Sequence, residues 1–169
     1  MRIGVVGHSG YDGLEELVQH LIAEAPRLSL TLSFEDTLLS AAGKGAAPLE
    51  APASLDALFT FGGDGTLLRG ARLLDGASAP VFGVNLGKLG FLTTCGADEF
   101  SELLPRFVRG DFTAEKRLAL EAQSQLDGVA DGPRLRALND VVLHKGGFAR
   151  VLRLQIRPAA RCSDRGATG

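Results

Sequence analysis

The chain has 169 residues, of which 45% are hydrophobic, and a formal net charge of -2. This length can bury one good core, or one domain and part of a second. The slightly acidic balance argues against the broad cationic surface that binds phosphate backbones, so no nucleic-acid partner is expected. The two cysteines, Cys95 and Cys162, are far apart and form no CxxC pair. This spacing argues against a zinc site and favours a reducing cytoplasm.

The amino terminus, MRIGVVG, is typical of a strand that enters a turn and differs from the apolar core of a signal peptide. No apolar stretch approaches the roughly 20 residues that cross a bilayer. The protein is therefore expected to be soluble and cytoplasmic, without a membrane partner.

Strand and helix patterns alternate over the first 110 residues. A β-branched strand at residues 2–6 leads through a glycine turn into a helix at residues 14–25, whose apolar residues repeat at helical spacing. The remaining predictions are strands at 28–34, 55–61 and 80–84, helices at 66–74 and around 100–107, a turn at 62–65, and loops at 40–54 and 85–90. This alternation predicts an α/β domain at residues 1–112, built on a Rossmann-like parallel sheet with helices on its faces.

The pattern changes near residue 112. Only strand-like runs follow, at residues 118–122, 135–144 and 150–157, joined by turns such as Asp127-Gly128 and Asp131-Gly132. This pattern predicts that residues 113–169 form the start of an all-β second domain, with an irregular tail from about residue 158. Three strands leave open edges and a thin core, so this part is expected to need cover from another segment or subunit.

The most informative motif is FTFGGDGT at residues 59–66, a strand that ends in glycines and an acid. Glycines let backbone N–H groups approach a phosphate, and a helix that starts just afterwards points its positive end at the same place. Asp64 would then lie at the carboxyl end of a strand, the usual ligand position in open α/β sheets. Its carboxylate suits a general base or a magnesium ligand, and spacing does not distinguish the two roles.

Ordinary turn chemistry is the alternative, because Gly-Gly-Asp-Gly residues tolerate left-handed conformations. The position of the motif between a predicted strand and a predicted helix favours a functional role. The motif matches neither the GxxxxGK[ST] phosphate loop nor the GxGxxG dinucleotide fingerprint.

Three further strings accompany GGDGTLLR at residues 62–69. They are GVNLGKLGFL at 83–92, EKR at 115–117 and ALNDVVLH at 137–144. In order and spacing, from residue 1 to about residue 156, this combination resembles the NAD kinases (the ATP-NAD kinase family). The GGDG motif is shared with diacylglycerol and sphingosine kinases and phosphofructokinases, and the additional strings favour the NAD kinases.

The resemblance implies phosphoryl transfer from ATP, or from polyphosphate in some members, to the 2′-hydroxyl of the adenosine ribose of NAD, giving NADP. It implies that Asp64 is the catalytic base and that Mg²⁺ or another divalent cation accompanies ATP. Phosphates are expected on Gly62, Gly63 and Thr66. No residue is assigned as a protein ligand of a metal.

The resemblance also implies a set of substrate-binding residues: Gly65, Arg69, Phe91, Asn139, Asp140 and Arg150. For Arg69 the alternative is a solvent-facing side chain, and for Phe91 an ordinary core phenylalanine. Asn139 and Asp140 interrupt an otherwise apolar predicted strand, where polar atoms need a partner, and a pair of turn residues is the alternative. Structural or exposed roles are expected for His8, Cys95, Lys116, Arg117 and His144.

Members of the family continue to a TPTGSTAY string that forms much of the NAD site, and this sequence contains no such string. These 169 residues are therefore expected to be weak or inactive by themselves. Two other functions stay open: a lipid kinase of the diacylglycerol type, and a non-catalytic nucleotide-binding fragment that self-associates. The resemblance further implies a homo-oligomer, either a dimer or a tetramer.

Overall fold

The computed structural model describes residues 1–88 and 90–142. A six-stranded, fully parallel sheet forms its larger part, in the order β3-β2-β1-β4-β5-β6. The strands are β1 (Arg2–Gly7), β2 (Thr31–Phe34), β3 (Ala47–Pro48), β4 (Ala57–Gly62), β5 (Val81–Asn85) and β6 (Cys95–Gly96). The predicted parallel α/β sheet is thereby confirmed.

In the part of the chain that the structure describes, four α-helices accompany the sheet: α1 (Leu14–Glu24), α2 (Leu39–Ala42), α3 (Asp64–Leu74) and α4 (Phe100–Val108). Short 3-10 helices lie at Asp36–Leu38 and Pro52–Ser54. An antiparallel hairpin of β7 (Leu120–Leu126) and β8 (Val129–Ala137) follows. This hairpin agrees with the predicted change from alternating helices and strands to strands alone, whereas a domain boundary near residue 112 stays a prediction. Among the described residues, no helix is long and apolar enough to span a membrane.

The central strands are continuous apolar runs because parallel strands covered on both faces are buried throughout. Every residue of β4 is buried, and β1 is buried from its second residue onward. On one face of the sheet, the Phe59 ring packs against Phe82, Phe100 and Phe107, with ring centroids 5.2 to 6.1 Å apart. This aromatic cluster attaches α4 to the sheet and leaves the strand ends to carry polar groups.

The strand order reverses between β1 and β4. From β1 the chain proceeds outward to β2 and β3, and it then returns to the centre at β4 before proceeding outward to β5 and β6. In open α/β sheets a ligand crevice lies outside the carboxyl ends of the strands at such a reversal. Gly7 and Gly62 end the two strands concerned.

Several predicted boundaries are wrong. Residues 40–54, predicted to be a loop, contain most of α2 and all of β3. The strand β3 forms because its small residues still pair with β2 at the sheet edge. Helix α3 begins at Asp64, two residues before its predicted start, so the acid belongs to the first helical turn. The predicted strand at 135–144 is replaced by β8, which ends at Ala137.

The predicted turn at Asp131-Gly132 is also wrong. The hairpin turn lies at Asp127-Gly128, where both residues have positive φ, as a two-residue type I′ turn requires. Asp131 lies inside β8, where it pairs with Ser124 of β7. The register shift next to this pair is a β-bulge, which Gly132 accommodates with a φ of +85°. The predicted strand at 150–157 and the tail from residue 158 lie outside the described residues.

The Phe59→Ala variant tests the aromatic cluster. Phe59 is fully buried, so its loss should lower the free energy of unfolding by about 3–5 kcal/mol through lost transfer energy and a cavity. The matched control is Phe91→Ala, because the Phe91 side chain is 96% exposed and its loss should change that energy by less than about 0.5 kcal/mol. Urea denaturation measures both variants, and equal losses would contradict this description of the core.

Candidate active site

Asp64 is held by the loop that follows β5. Its Oδ2 accepts a hydrogen bond from the Phe91 N–H at 3.0 Å, and its Oδ1 accepts one from the Leu92 N–H at 3.0 Å. As the first residue of α3, it also lies at the positive end of the helix. The half-buried carboxylate is thus fixed in orientation by one donor on each oxygen.

The same contacts keep Asp64 ionised. The backbone N–H groups of Phe91 and Leu92 lower the pKa of its carboxyl below the ordinary value of 3.8, with smaller help from Thr93 and from the charge of Arg117. Partial burial opposes this shift without overcoming it. Asp64 is therefore an anion at neutral pH, able to accept hydrogen bonds and to attract cations.

Asn85 organises the loop that supplies those donors. Its side chain is buried at the end of β5, where its Nδ2 donates to the Lys88 carbonyl at 2.8 Å and to Thr93 Oγ1 at 3.3 Å. Its Oδ1 accepts the Gly87 N–H at 2.8 Å. Sequence reasoning assigned no role to Asn85, although a polar residue that ends an apolar strand was the available signal.

Two glycines allow the close packing around the acid. A Cβ at Gly90 would overlap the Asp64 carboxylate, with only 2.6 Å to Cγ. A Cβ at Gly62 would lie 2.9 Å from the Thr66 Cβ, where the chain leaves β4 for α3. Side chains at these positions would displace Asp64 or the start of α3. The two glycines therefore let these segments pack closely, in addition to allowing the chain to turn.

The predicted phosphate-binding residues lie together at this helix start. Gly63 precedes α3, and its carbonyl accepts the Thr66 N–H at 2.9 Å. Thr66 is buried, whereas Gly65 is exposed on the first turn. The Thr66 amide is therefore occupied, whereas the Asp64 and Gly65 amides donate to no acceptor among the described residues and point outward at the positive end of the helix. An anion would find donors there, beside Asp64.

The Arg69 side chain is already paired within the fold. Its Nη2 donates to the Gly7 carbonyl at 2.6 Å and to Glu35 Oε2 at 2.9 Å. Arg69 therefore joins the end of β1 to the segment after β2, while 41% of its side chain stays exposed to solvent. A guanidinium carries five donors, so this ion pair leaves others for a ligand.

The remaining predicted residues separate into three groups. Phe91 is not a core residue, since almost its whole ring is exposed beside the Asp64 loop. Asn139 and Asp140 do not interrupt a strand, because they lie exposed in the bend after β8, where Asn139 Nδ2 donates to Asp140 Oδ1 at 3.3 Å. In the described part of the chain, no hydrogen bond joins either residue to Asp64. Arg150, like His144, lies outside the described residues.

The residues predicted to be structural or exposed behave accordingly where they are described. Burial raises the pKa of the Cys95 thiol to about 11, which makes it a poor nucleophile. His8 Nδ1 accepts the Gly10 N–H at 3.1 Å. Arg117 forms an exposed ion pair with Glu115 at 3.0 Å.

A large cavity adjoins the loop that follows β5 and holds Asp64. It has a volume of about 980 Å³ and lies between α3, the Phe91 to Thr94 segment, residues 112–117 and the end of β8. Arg136 of β8 crosses beside it to the end of α3, where its Nη1 donates to the Asp75 carbonyl at 2.6 Å. Within residues 1–88 and 90–142, no cluster of three or more His, Cys, Asp or Glu side chains is arranged to hold a metal ion.

The Asp64→Asn variant tests the charge on the acid. A carboxyl whose pKa is lowered by folding adds stability above about pH 4 and loses it as the pH falls through the folded-state value. The variant should therefore unfold at lower urea concentration than the wild type at pH 7, and the difference should shrink below pH 4. The exposed Asp12→Asn serves as control, and a pH-independent difference would contradict the assignment.

The Gly90→Ala variant tests the packing of the loop against the acid. The added methyl group should push the Phe91 and Leu92 amides away from Asp64 and lower the urea midpoint at pH 7. Gly65→Ala is the matched control, because open space surrounds Gly65 and alanine favours a helix by up to about 1 kcal/mol. Equal stability of the two variants would show that the loop is not held as described.

Comparison with known proteins places the chain in a family. Residues 13–112 match the family model of the ATP-NAD kinase N-terminal domain. The chain is 49% identical over 156 residues to an NAD kinase from Gemmatimonas aurantiaca, covering 92% of this chain and 54% of that protein. It thus spans about half the length of this curated relative.

Solved structures show the same fold. A yeast NADH kinase complexed with NADH superposes with a TM-score of 0.62 at 17% identity, over 81% of this chain and 46% of that one. An NAD kinase from Archaeoglobus fulgidus in complex with ATP gives 0.53 at 25% identity, over 77% and 45%. Because the family match covers more than half of its residues, the chain belongs to the NAD kinase family and contains that family's amino-terminal domain.

Proposed function

We propose that this chain carries the phosphoryl-transfer site of an NAD kinase, which moves a phosphoryl group from ATP to the 2′-hydroxyl of the adenosine ribose of NAD. Polyphosphate is the alternative donor. The observation that carries the proposal is an ionised Asp64, oriented by two backbone amides, beside a helix start at the reversal of strand order. The reaction gives NADP and ADP, and its expected setting is the cytoplasm.

In this reaction Asp64 accepts the proton of the ribose hydroxyl. The ribose oxygen forms a bond to the terminal phosphorus of ATP while the bridging P–O bond breaks, and the electron pair leaves with ADP. Each carboxylate oxygen has two lone-pair sites, of which the Phe91 and Leu92 amides use one apiece. One acceptor site per oxygen therefore remains for the hydroxyl.

The low pKa of Asp64 suits such a reaction. A loose phosphoryl-transfer transition state requires mainly positioning and charge stabilisation, and little early removal of the proton. A carboxylate that is already ionised and fixed in place aligns the hydroxyl without first losing a proton itself. Asp64 thus acts first as an orienting acceptor and then as the base.

The phosphate donor is assigned to the start of α3. Gly62, Gly63 and Thr66 supply the turn that would hold phosphate oxygens, with the Asp64 and Gly65 amides as donors, because the Thr66 amide already donates to the Gly63 carbonyl. Gly65, exposed on the first turn, is assigned to substrate. ATP as the donor is supported by the Archaeoglobus fulgidus NAD kinase of similar fold, which was solved in complex with ATP.

NAD is assigned to the side of the site that carries Phe91. The exposed ring of Phe91 can pack on a nucleotide base, and the neighbouring cavity of about 980 Å³ has the size of a ligand site. Asn139 and Asp140 are carried over as NAD contacts from the sequence resemblance, and Arg69 and Arg150 as further substrate-binding positions, with Arg69 suited to phosphate oxygens. For Arg69 this requires a ligand to share the guanidinium with Glu35.

Mg²⁺ is expected to arrive with ATP. Magnesium commonly binds through one or two carboxylates together with substrate phosphates, and Asp64 is the acid beside the proposed phosphate site. The metal would neutralise phosphate charge there.

Homo-oligomers, either dimers or tetramers, are expected from the resemblance, and they stay a prediction. The expectation that these 169 residues turn over weakly by themselves is likewise tested by the rate of the assay below.

The functional test measures NADP formation from NAD and Mg-ATP. Wild type should form NADP at a low rate, as expected for these 169 residues by themselves, and Asp64→Asn should be slower still by about a hundredfold or more, because the base is lost. Asp12→Asn, on an exposed turn, should keep the wild-type rate.

Two results would contradict the proposal. Phosphorylation of diacylglycerol in place of NAD would favour the lipid-kinase alternative. Binding of ATP and NAD in calorimetry, together with self-association and no NADP from any variant, would favour a binding fragment without catalytic activity.

A further inference from the structure

Tyr11 lies between the two glycine segments of the site. Its ring carbon Cε1 is 2.9 Å from the position that a Cβ would take at Gly87, and its hydroxyl oxygen is 3.1 Å from the corresponding position at Gly63. The ring also meets His8 edge to face, with centroids 5.5 Å apart. Tyr11, in the turn after β1, therefore touches the segments that follow β4 and β5, of which the first carries Asp64 and the second holds it.

The turn that carries Tyr11 is attached to the end of β4. The His8 N–H donates to the Phe61 carbonyl at 3.1 Å, and the Tyr11 N–H donates to the His8 carbonyl at 3.3 Å. These bonds place the half-buried ring at the reversal of strand order, with its hydroxyl directed toward Gly63. A side chain in this position sets the spacing between the β4 and β5 segments.

The hydroxyl of Tyr11 is available to a ligand. No hydrogen bond among residues 1–88 and 90–142 uses it. A phenol hydroxyl can donate, and it lies over the residue that precedes α3, where outward-pointing amides attract anions. Donation to a charged oxygen is stronger than donation to a neutral one.

We propose that the Tyr11 hydroxyl donates a hydrogen bond to a phosphate oxygen of the phosphoryl donor, while its ring keeps the Gly63 and Gly87 segments apart. This inference rests on the proposed function and adds a residue to its donor side. The sequence offered no periodic or motif signal for Tyr11, because its role depends on contacts with segments 50 and more residues away.

The composition of the chain provides a direct probe. Tyr11 is the single tyrosine and there is no tryptophan, so intrinsic fluorescence excited at tyrosine wavelengths reports on this side chain alone. Tripolyphosphate is a suitable ligand because it carries the phosphate chain without an absorbing base. Titration of the wild type should give a saturable change in tyrosine emission.

Calorimetry with tripolyphosphate and with Mg-ATP then compares the wild type with Tyr11→Phe and Tyr11→Leu. Loss of the hydroxyl in Tyr11→Phe should weaken phosphate binding about tenfold, as expected for one bond to a charged group. Tyr11→Leu, which also loses the ring, should weaken it further. Asp12→Asn, the neighbouring exposed residue, should bind as the wild type does.

In the kinase assay, Tyr11→Phe should raise the KM for ATP about tenfold and leave the KM for NAD unchanged. Equal affinity of Tyr11→Phe and wild type, or tyrosine emission that stays constant while calorimetry records binding, would overturn the assignment of Tyr11. If either result is found while the wild type still forms NADP and Asp64→Asn does not, the assignment of Tyr11 fails and the proposed function stands. A wild type that binds neither tripolyphosphate nor ATP would overturn both the assignment and the proposed function.

Discussion

The site depends on the pair of hydrogen bonds between the Asp64 carboxylate and the backbone of Phe91 and Leu92. These bonds join the start of α3 to the loop after β5, two segments that the sheet brings close only because β4 and β5 are neighbours. They orient the acid, keep it charged and leave acceptor capacity on both oxygens. Asn85 and Gly90 maintain the arrangement, the first by holding the loop and the second by leaving room for the carboxylate.

The parts of the structure governed by local pattern could be predicted from the sequence. The apolar runs of β1, β4 and β5 and the spacing of buried residues in α1 follow from the periods of buried strands and amphipathic helices. The GGDG motif indicated an acid where a strand gives way to a helix, and Asp64 lies there as the first residue of α3. Short elements such as β3 and β6 carry too few residues for any period to be recognised.

Contacts between distant segments could not be predicted in the same way. Nothing near Arg69 in the sequence indicates its bonds to Gly7 and Glu35, because the topology of the sheet creates them. The end of β8 at Ala137 is a similar case, since the apolar residues beyond it suggested a longer strand than the hairpin forms. The roles of Asn85 and Tyr11 likewise depend on a three-dimensional neighbourhood.

The two margins of the large sheet have a consequence for behaviour at high concentration. Both border strands are only two residues long, and one of them contains Pro48, which has no N–H to offer. A border this short presents almost no template on which a foreign β-segment could assemble. Aggregation by continuous growth of this sheet from molecule to molecule is therefore disfavoured by the geometry of its rim.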